Sequence, residues 1–275
     1  MSAETKPAMQ PEQRLTDMMD PARAAAFQAA LGLEQVIGVG SALPPFFHQL
    51  YFWVPLPPGG LGRDGHPKVG GTGLIPDMGL PRRMWAGGRL RFEAPLRAGI
   101  AAEKTSVLEK AEAKSGRSGP LGLVTLRHEI RQQGALCLTE WHNLVYREDP
   151  DPAAPEPVPP MARADETEVR EVSFSSTLLF RYSALTFNGH RIHYDLDYAR
   201  NVEGYAGLVV HGPLLAQHLM LLAEELMGPL AEFSFRASSP LMHFENATLC
   251  RNGQDLWVRG PDGRQCMSAV AVPRT

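Results

Sequence analysis

The chain of 275 residues is 44% hydrophobic and 21% charged and carries a net charge of −3. That length can bury a sizeable core as one large unit or two moderate ones, and the charge balance speaks against a nucleic-acid partner. No apolar run approaches the roughly 20 residues of a membrane span, and the polar start "MSAETKPAMQPEQ" has no signal-peptide core, so a cytoplasmic protein without membrane contact is expected. The cysteines, Cys137, Cys250 and Cys266, are odd in number and widely spaced, which reads as buried thiols rather than disulfides or a zinc site.

In chain order, the N-terminal half offers "DPARAAAFQAALGL" and then "GSALPPFFHQLYFW", read as a central helix. A Gly/Pro-rich stretch follows over residues 55–80. Such an insertion is expected at the surface, and long loops of this kind often cover a functional cleft. Next come "RLRFEAPL", "KTSVLEKAEAK", "LGLVTLRHEI" and "ALCLTEWHNLVYR". Residues 147–170 are rich in Pro, Ala and acidic groups. Proline removes donors and fixes φ, so this segment is expected to be a semi-extended connector.

Beyond it, the run Pro213–Met227 is apolar nearly all round, which belongs inside a protein rather than on its surface. Pro213 suits its first turn and Gly228 its C-terminal cap. The strand-like runs "AEFSFRAS", "MHFENATLC", "DLWVRG" and "QCMSAVAV" follow, joined by short Asn-Gly and Asp-Gly turns of the antiparallel hairpin kind. "SALPPFFHQLYF" and "VHGPLLAQHLML" are alike, as are "RFEAPL" and "FRASSPL", and the order of elements is shared, which reads as an internal duplication. A central helix followed by an antiparallel meander, occurring twice, implies an α+β double hot-dog, two sheets each wrapped around a helix. The expected units are 1–146, degenerate and carrying the insertion, and 171–275, catalytic.

One stretch is crowded with proton-handling groups: "ALTFNGHRIHYD", followed by "YAGLVVHGPL". With "LPRRMWAGGRLRFE", it resembles the MaoC-like enoyl-thioester hydratases and hydroxyacyl-thioester dehydratases. The branch is that of the hydroxyacyl-thioester dehydratases type 2 and the mesaconyl-C4-CoA hydratases. The family's motif runs Asp-x-Asn-Pro-x-His. Here Asn188 falls on the Asp position, His190 on the Asn position and His193 on the catalytic His position, and His211-Gly212 matches a His-Gly at the start of the helix. The resemblance implies reversible water addition to an enoyl thioester, with neither metal nor redox cofactor. The substrate is expected on coenzyme A or an acyl carrier, and homodimers are common in that family.

The chemistry explains the grouping. Interconverting a 3-hydroxyacyl and an enoyl thioester moves a weakly acidic C2 proton and a poor leaving hydroxide, which a positioned imidazole can serve near neutrality. His193 is read as that acid–base group, His190 as its aid or as a structural hydrogen-bonding residue, and Asn188 as a group that orients water without exchanging protons. The Gly212 N–H, opening a buried helix, suits the charge that develops on the thioester oxygen. His211 shapes the turn before that helix or contacts substrate. Asp195 and Asp197 are expected to cap the helix opening at "LDYARN", Asp197 above all. A metal held by His190, His193 and an aspartate is the competing reading, and no further ligand spacing supports it. Arg82, Arg83, Arg181 and Arg191 are solvated charges or recognise a substrate carboxylate or coenzyme A phosphates, and Trp85 lines or supports the cleft wall. Within this chemistry a mesaconyl-C4-CoA-type hydratase is expected. The alternatives are a 3-hydroxyacyl carrier-protein dehydratase, a hot-dog thioesterase and a non-catalytic acyl-thioester binder.

Overall fold

A computed structural model of the chain describes residues 12–70, 73–116, 119–149 and 158–275. Its strands follow from period-two patterning. Along Gly119–Gln132 partly exposed and buried side chains alternate from Gly122 onward, so one face of the strand meets the interior and the other carries the polar Thr125, Arg127, Glu129 and Arg131. The first half contributes β1 (Glu12–Asp17), α1 (Pro21–Ala30), β2 (Arg82–Phe92), β3 (Ala102–Gly116), β4 (Gly119–Gln132) and β5 (Ala135–Arg147). The second contributes β6 (Glu168–Val172), α2 (Ser176–Leu185), α3 (Leu196–Asn201), α4 (Gly212–Met227), β7 (Leu230–Ala237), β8 (Ala247–Asn252), β9 (Asp255–Arg259) and β10 (Gln265–Pro273).

The strands form one antiparallel ten-stranded sheet in the order β1-β3-β4-β5-β2-β7-β10-β9-β8-β6. Read outward from its centre, each half repeats the same order, so the duplicated layout is present in the topology. The halves meet where β2 pairs with β7, from Gly87↔Arg236 to Arg91↔Glu232. That seam explains the glycine pair of "WAGG". A Cβ on Gly87 would stand 2.4 Å from the Phe235 carbonyl oxygen, and one on Gly88 would stand 2.7 Å from that of Trp141.

α4 is the core helix and packs against β10, β7, β9 and β2. Leu214, Leu219 and Met220 are fully buried on it, each contributing ~1.5–3 kcal/mol of apolar burial. The helix expected in "GSALPPFFHQLYFW" is instead a single 3-10 turn, Phe47–Leu50. Pro44 and Pro45 remove two donors, and Phe46 and Phe52 take left-handed φ values of 71° and 62° on either side, so no α-helix can run through. The turn still docks on the surviving helix, where the Gln217 side chain donates to the Pro45 carbonyl at 2.9 Å.

Residues 150–157 of the expected connector lie outside the described residues, and β6 begins at Glu168, within its expected end. The three cysteines are buried free thiols. Among the described residues no helix is long and apolar enough to cross a membrane. The Gly/Pro-rich insertion is packed rather than loose. Val69, Leu74, Ile75, Met78 and Leu80 cover a patch of Val124, Leu126, Leu144 and Tyr146 on β4 and β5.

Candidate active site

The crowded motif occupies the turn between α2 and α3. Ser175 caps α2 by accepting from the Leu178 N–H, and α2 ends at Leu185. The chain then doubles back through Asn188, whose side-chain oxygen accepts the His190 N–H at 3.0 Å. A 3-10 turn over Arg191–His193 follows, packed on a small cluster of Ile192, Tyr198, Ala199, Val209 and Met242. Asp195, not Asp197, caps α3 by accepting from the Tyr198 N–H at 3.0 Å, because only Asp195 stands one residue before the helix.

This turn delivers His193 to the wall of a cavity of about 1030 Å³, which is lined from both halves of the chain. His193 is buried, and its Nδ1 lies 2.7 Å from the Val209 carbonyl oxygen. A carbonyl only accepts, so Nδ1 carries the hydrogen and Nε2 keeps its lone pair. Burial lowers the His193 pKa to about 3, against the Val209 bond and with a smaller push from His66, so the ring is neutral near pH 7 and its Nε2 lone pair is free. His211 stacks on it with ring centroids 3.6 Å apart, and His211 Nε2 shares a hydrogen bond with the Ser183 hydroxyl at 2.8 Å. Burial and the neighbouring His193 hold His211 well below the ordinary histidine value, which keeps the stacked pair uncharged. Gly212 also lines the cavity. As the first residue of α4 its N–H has no intrahelical acceptor.

Asn188, His190, His193, Gly212, Arg83 and Trp85 all line the cavity. The Trp85 indole N–H donates to the Gly87 carbonyl at 2.9 Å, and its ring lies 4.2 Å from that of His142, so the wall there is rigid. Four expected ligand contacts are not at the wall. His211 is fully buried behind His193. Arg82 is tied to Glu203 at 2.8 Å and to the Tyr205 hydroxyl at 3.1 Å. Arg191 is held by Asp195 at 2.7 Å and lies over the Tyr198 ring. Arg181 is on the exposed side of α2, away from the cavity. Among the described residues Arg83, Arg147 and Arg236 line the cavity and make no ion pair.

Two groups of site residues were missed by the sequence reading. From the insertion, His66 lines the cavity with its ring centroid 4.4 Å from that of His190, and Asp64 stands beside it. Asp64, His66 and His190 each offer one ligand atom within 4.8 Å of the others, so they are the residues that could hold a metal ion. The one local signal is the Asp-x-His spacing of "GRDGHPKV", which in a Gly/Pro-rich stretch reads as a loop. The second group is Gln49 and His142, which line the cavity and are held from behind by the buried Glu140, itself 2.9 Å from His48 and 2.7 Å from Gln49. Burial alone would raise the Glu140 carboxyl, but His142 and His48 hold it well below the carboxylate range. Nothing in the sequence announced that pairing across 92 positions.

A ten-stranded antiparallel sheet in two repeating halves, with a central helix whose first turn faces a His-lined cavity, defines a double hot-dog protein. The chain belongs to the hydroxyacyl-thioester dehydratase type 2 family, whose sequence pattern matches residues 46–243. It is 45% identical over 258 residues to a mesaconyl-C(4)-CoA hydratase of Chloroflexus aurantiacus, a match covering 90% of each chain. The crystal structure of a MaoC-like dehydratase from Phytophthora capsici superimposes with a TM-score of 0.69 at 12% identity, covering 97% of each chain. A Mycobacterium tuberculosis protein described as having a double hot-dog fold does so with a TM-score of 0.58 at 14% identity, covering 96% of each chain.

Proposed function

We propose that this hydro-lyase adds water reversibly to mesaconyl-C4-CoA, giving citramalyl-CoA, in the cytoplasm and without a metal or redox cofactor. One observation carries the reaction. His193 is fixed as the Nδ1–H tautomer by the Val209 carbonyl, which leaves a neutral Nε2 in a cavity that also contains the free N–H of Gly212.

The roles follow from that geometry. Gly212 donates to the thioester oxygen as it gains charge, and the absent Cβ helps the thioester approach the helix end. His193 Nε2 exchanges the proton at C2. Asn188 orients the water, its side-chain oxygen already committed to the His190 N–H. Substrate choice is supported by the 45% identical hydratase and by Arg83, a guanidinium in the wall without an ion pair among the described residues, which can meet a free carboxylate. Both halves of one chain line the cavity, so a second copy is not needed to complete it.

A panel of acyl-CoAs with and without a second carboxylate tests this reading by mass. Gain of one water on mesaconyl-C4-CoA, faster than on neutral enoyl-CoAs of similar length, is expected. Preferred turnover of long-chain 3-hydroxyacyl thioesters would assign the dehydratase activity instead, release of free thiol a thioesterase, and no change a binder.

A further inference from the structure

The catalytic motif has one unfilled role. Water addition moves two protons, one at C2 and one on the oxygen at C3, and the amide of Asn188 can carry neither. We propose that His66, held by Asp64, is the second acid–base residue of this site and serves the oxygen at C3.

Three observations lead there. First, His66 Nδ1 lies 3.1 Å from an Asp64 carboxylate oxygen, while the His66 backbone N–H donates to the other oxygen of the same carboxylate at 3.0 Å. An ionised carboxylate only accepts, so the hydrogen is on Nδ1 and the His66 Nε2 is free, the same tautomer that Val209 imposes on His193. Burial would raise the Asp64 carboxyl, but the hydrogen bonds it accepts from the His66 side chain and backbone hold it below the usual carboxylate range. Asp64 is therefore an anion there. An acid–base imidazole oriented by a carboxylate is the arrangement general acid–base sites use.

Second, the insertion is keyed to the motif backbone to backbone. The Arg191 N–H donates to the Asp64 carbonyl at 2.9 Å. Gly65, at φ +87°, lies so close to Gly189 that a Cβ would come within 2.0 Å of its carbonyl oxygen. Third, the three rings form a row, with His66 to His190 at 4.4 Å and His190 to His193 at 5.3 Å.

The proton balance closes in either direction. In dehydration His193 Nε2 takes the C2 proton, and the C2 electron pair forms the double bond as the C3–O bond breaks. The oxygen leaves as water with a proton that His66 Nε2 has taken up, so the cycle runs on a site carrying one proton more than its neutral state; burial and Arg83 oppose that charge, and the Asp64 carboxylate favours it. Hydration runs the same steps backward, and His190 stands between the two rings to return the proton. The groups facing His66 are Asp64 of the insertion, His190 and His193 of the motif, and Arg83 of β2, with Tyr146 of β5 facing Asp64.

The inference rests on the cavity being the place of water addition, so one readout is independent of turnover. Nitrogen–proton correlation spectra of the imidazoles should show His66 protonated at Nδ1 in the wild type, with that signal altered in Asp64→Asn. His66 protonated at Nε2 in the wild type would overturn the pairing. In kinetics on whichever enoyl-CoA the wild type hydrates, folded His66→Gln should lose on the order of 10²-fold or more in kcat with KM little changed. It should also lose one limb of the pH profile of kcat/KM. Asp64→Asn should lose less and move that limb to lower pH, because removing the anion disfavours the imidazolium. Imidazole in the buffer should restore part of the rate to His66→Ala. Wild-type kcat in His66→Gln, or a reduced kcat with both limbs intact, would overturn the proposal. So would wild-type activity that vanishes on dialysis against EDTA and returns with Zn²⁺, since the cluster would then be a metal site. Failure of every enoyl-CoA with the wild type would instead overturn the proposed function.

Discussion

Gly65→Ala probes whether the insertion supports the chemistry or merely covers it. An alanine Cβ there would sit 2.0 Å from the Gly189 carbonyl oxygen and 3.0 Å from its carbon. Ordinary contact needs about 3.4 Å, so the two segments must part by roughly 1 Å or more. The left-handed φ of +87° adds about 1–2 kcal/mol, and weakening the Arg191–Asp64 backbone hydrogen bond adds about 1 kcal/mol. The sum, about 2–3 kcal/mol, corresponds to a loss of roughly 4–12 °C in Tm for a domain of this size. A shift of ~1 Å at a catalytic loop can cost on the order of 10²-fold in rate. The control is Gly79→Ala, which shares the strained φ of +70° in the same insertion but meets nothing within 4 Å. Thermal melts and steady-state hydration assays on both variants should show a modest Tm loss for each, and a collapse of kcat for Gly65→Ala alone. Equal kcat in the two variants would refute the coupling.

Other outcomes follow from the same geometry. Asn188→Ala should lower kcat without deleting an ionisation from the pH–rate profile, and wild-type kinetics throughout would remove Asn188 from the water's surroundings. Arg83→Gln should raise KM about tenfold or more for an enoyl-CoA bearing a free carboxylate and leave that of a neutral enoyl-CoA unchanged; equal effects would dissociate Arg83 from the carboxylate. Acid should destabilise the fold through its buried neutral histidines. For His193 the folded pKa of about 3 lies below the unfolded value near 6.5, so stability is complete above pH ~6.5 and declines toward pH 3, by about 2 kcal/mol at pH 5 for this residue alone. A flat Tm between pH 7.5 and 5, read by calorimetry, would contradict the neutral assignment.

The sequence made legible what is local or periodic. The all-apolar run after Pro213, the hairpin turns and the motif from Asn188 to His193 are each encoded within about sixteen residues, and their structures follow that encoding. The failures arose where distant segments meet. Arg82 looks like an anion binder in isolation, and only the fold sets Glu203 against it, whereas Arg191 is paired within the motif itself by Asp195 four residues on. His211 was one residue from a cavity residue, yet helix geometry turns it behind His193. The Asp64–His66 pair lies more than a hundred positions before the motif it joins, so no window along the chain contains both. The first half lacks the expected helix for a local reason, since Pro44-Pro45 stands in the middle of the helical pattern.

The most direct test is a comparison of wild type and His193→Ala on mesaconyl-C4-CoA, followed by mass and by the Tm of each protein. The wild type should convert the substrate to a species one water heavier without releasing free coenzyme A. His193→Ala should melt as a folded protein and turn over at least ~10²-fold more slowly. Undiminished hydration by a folded His193→Ala, or a wild type that adds no water to this or any enoyl-CoA, would contradict the account.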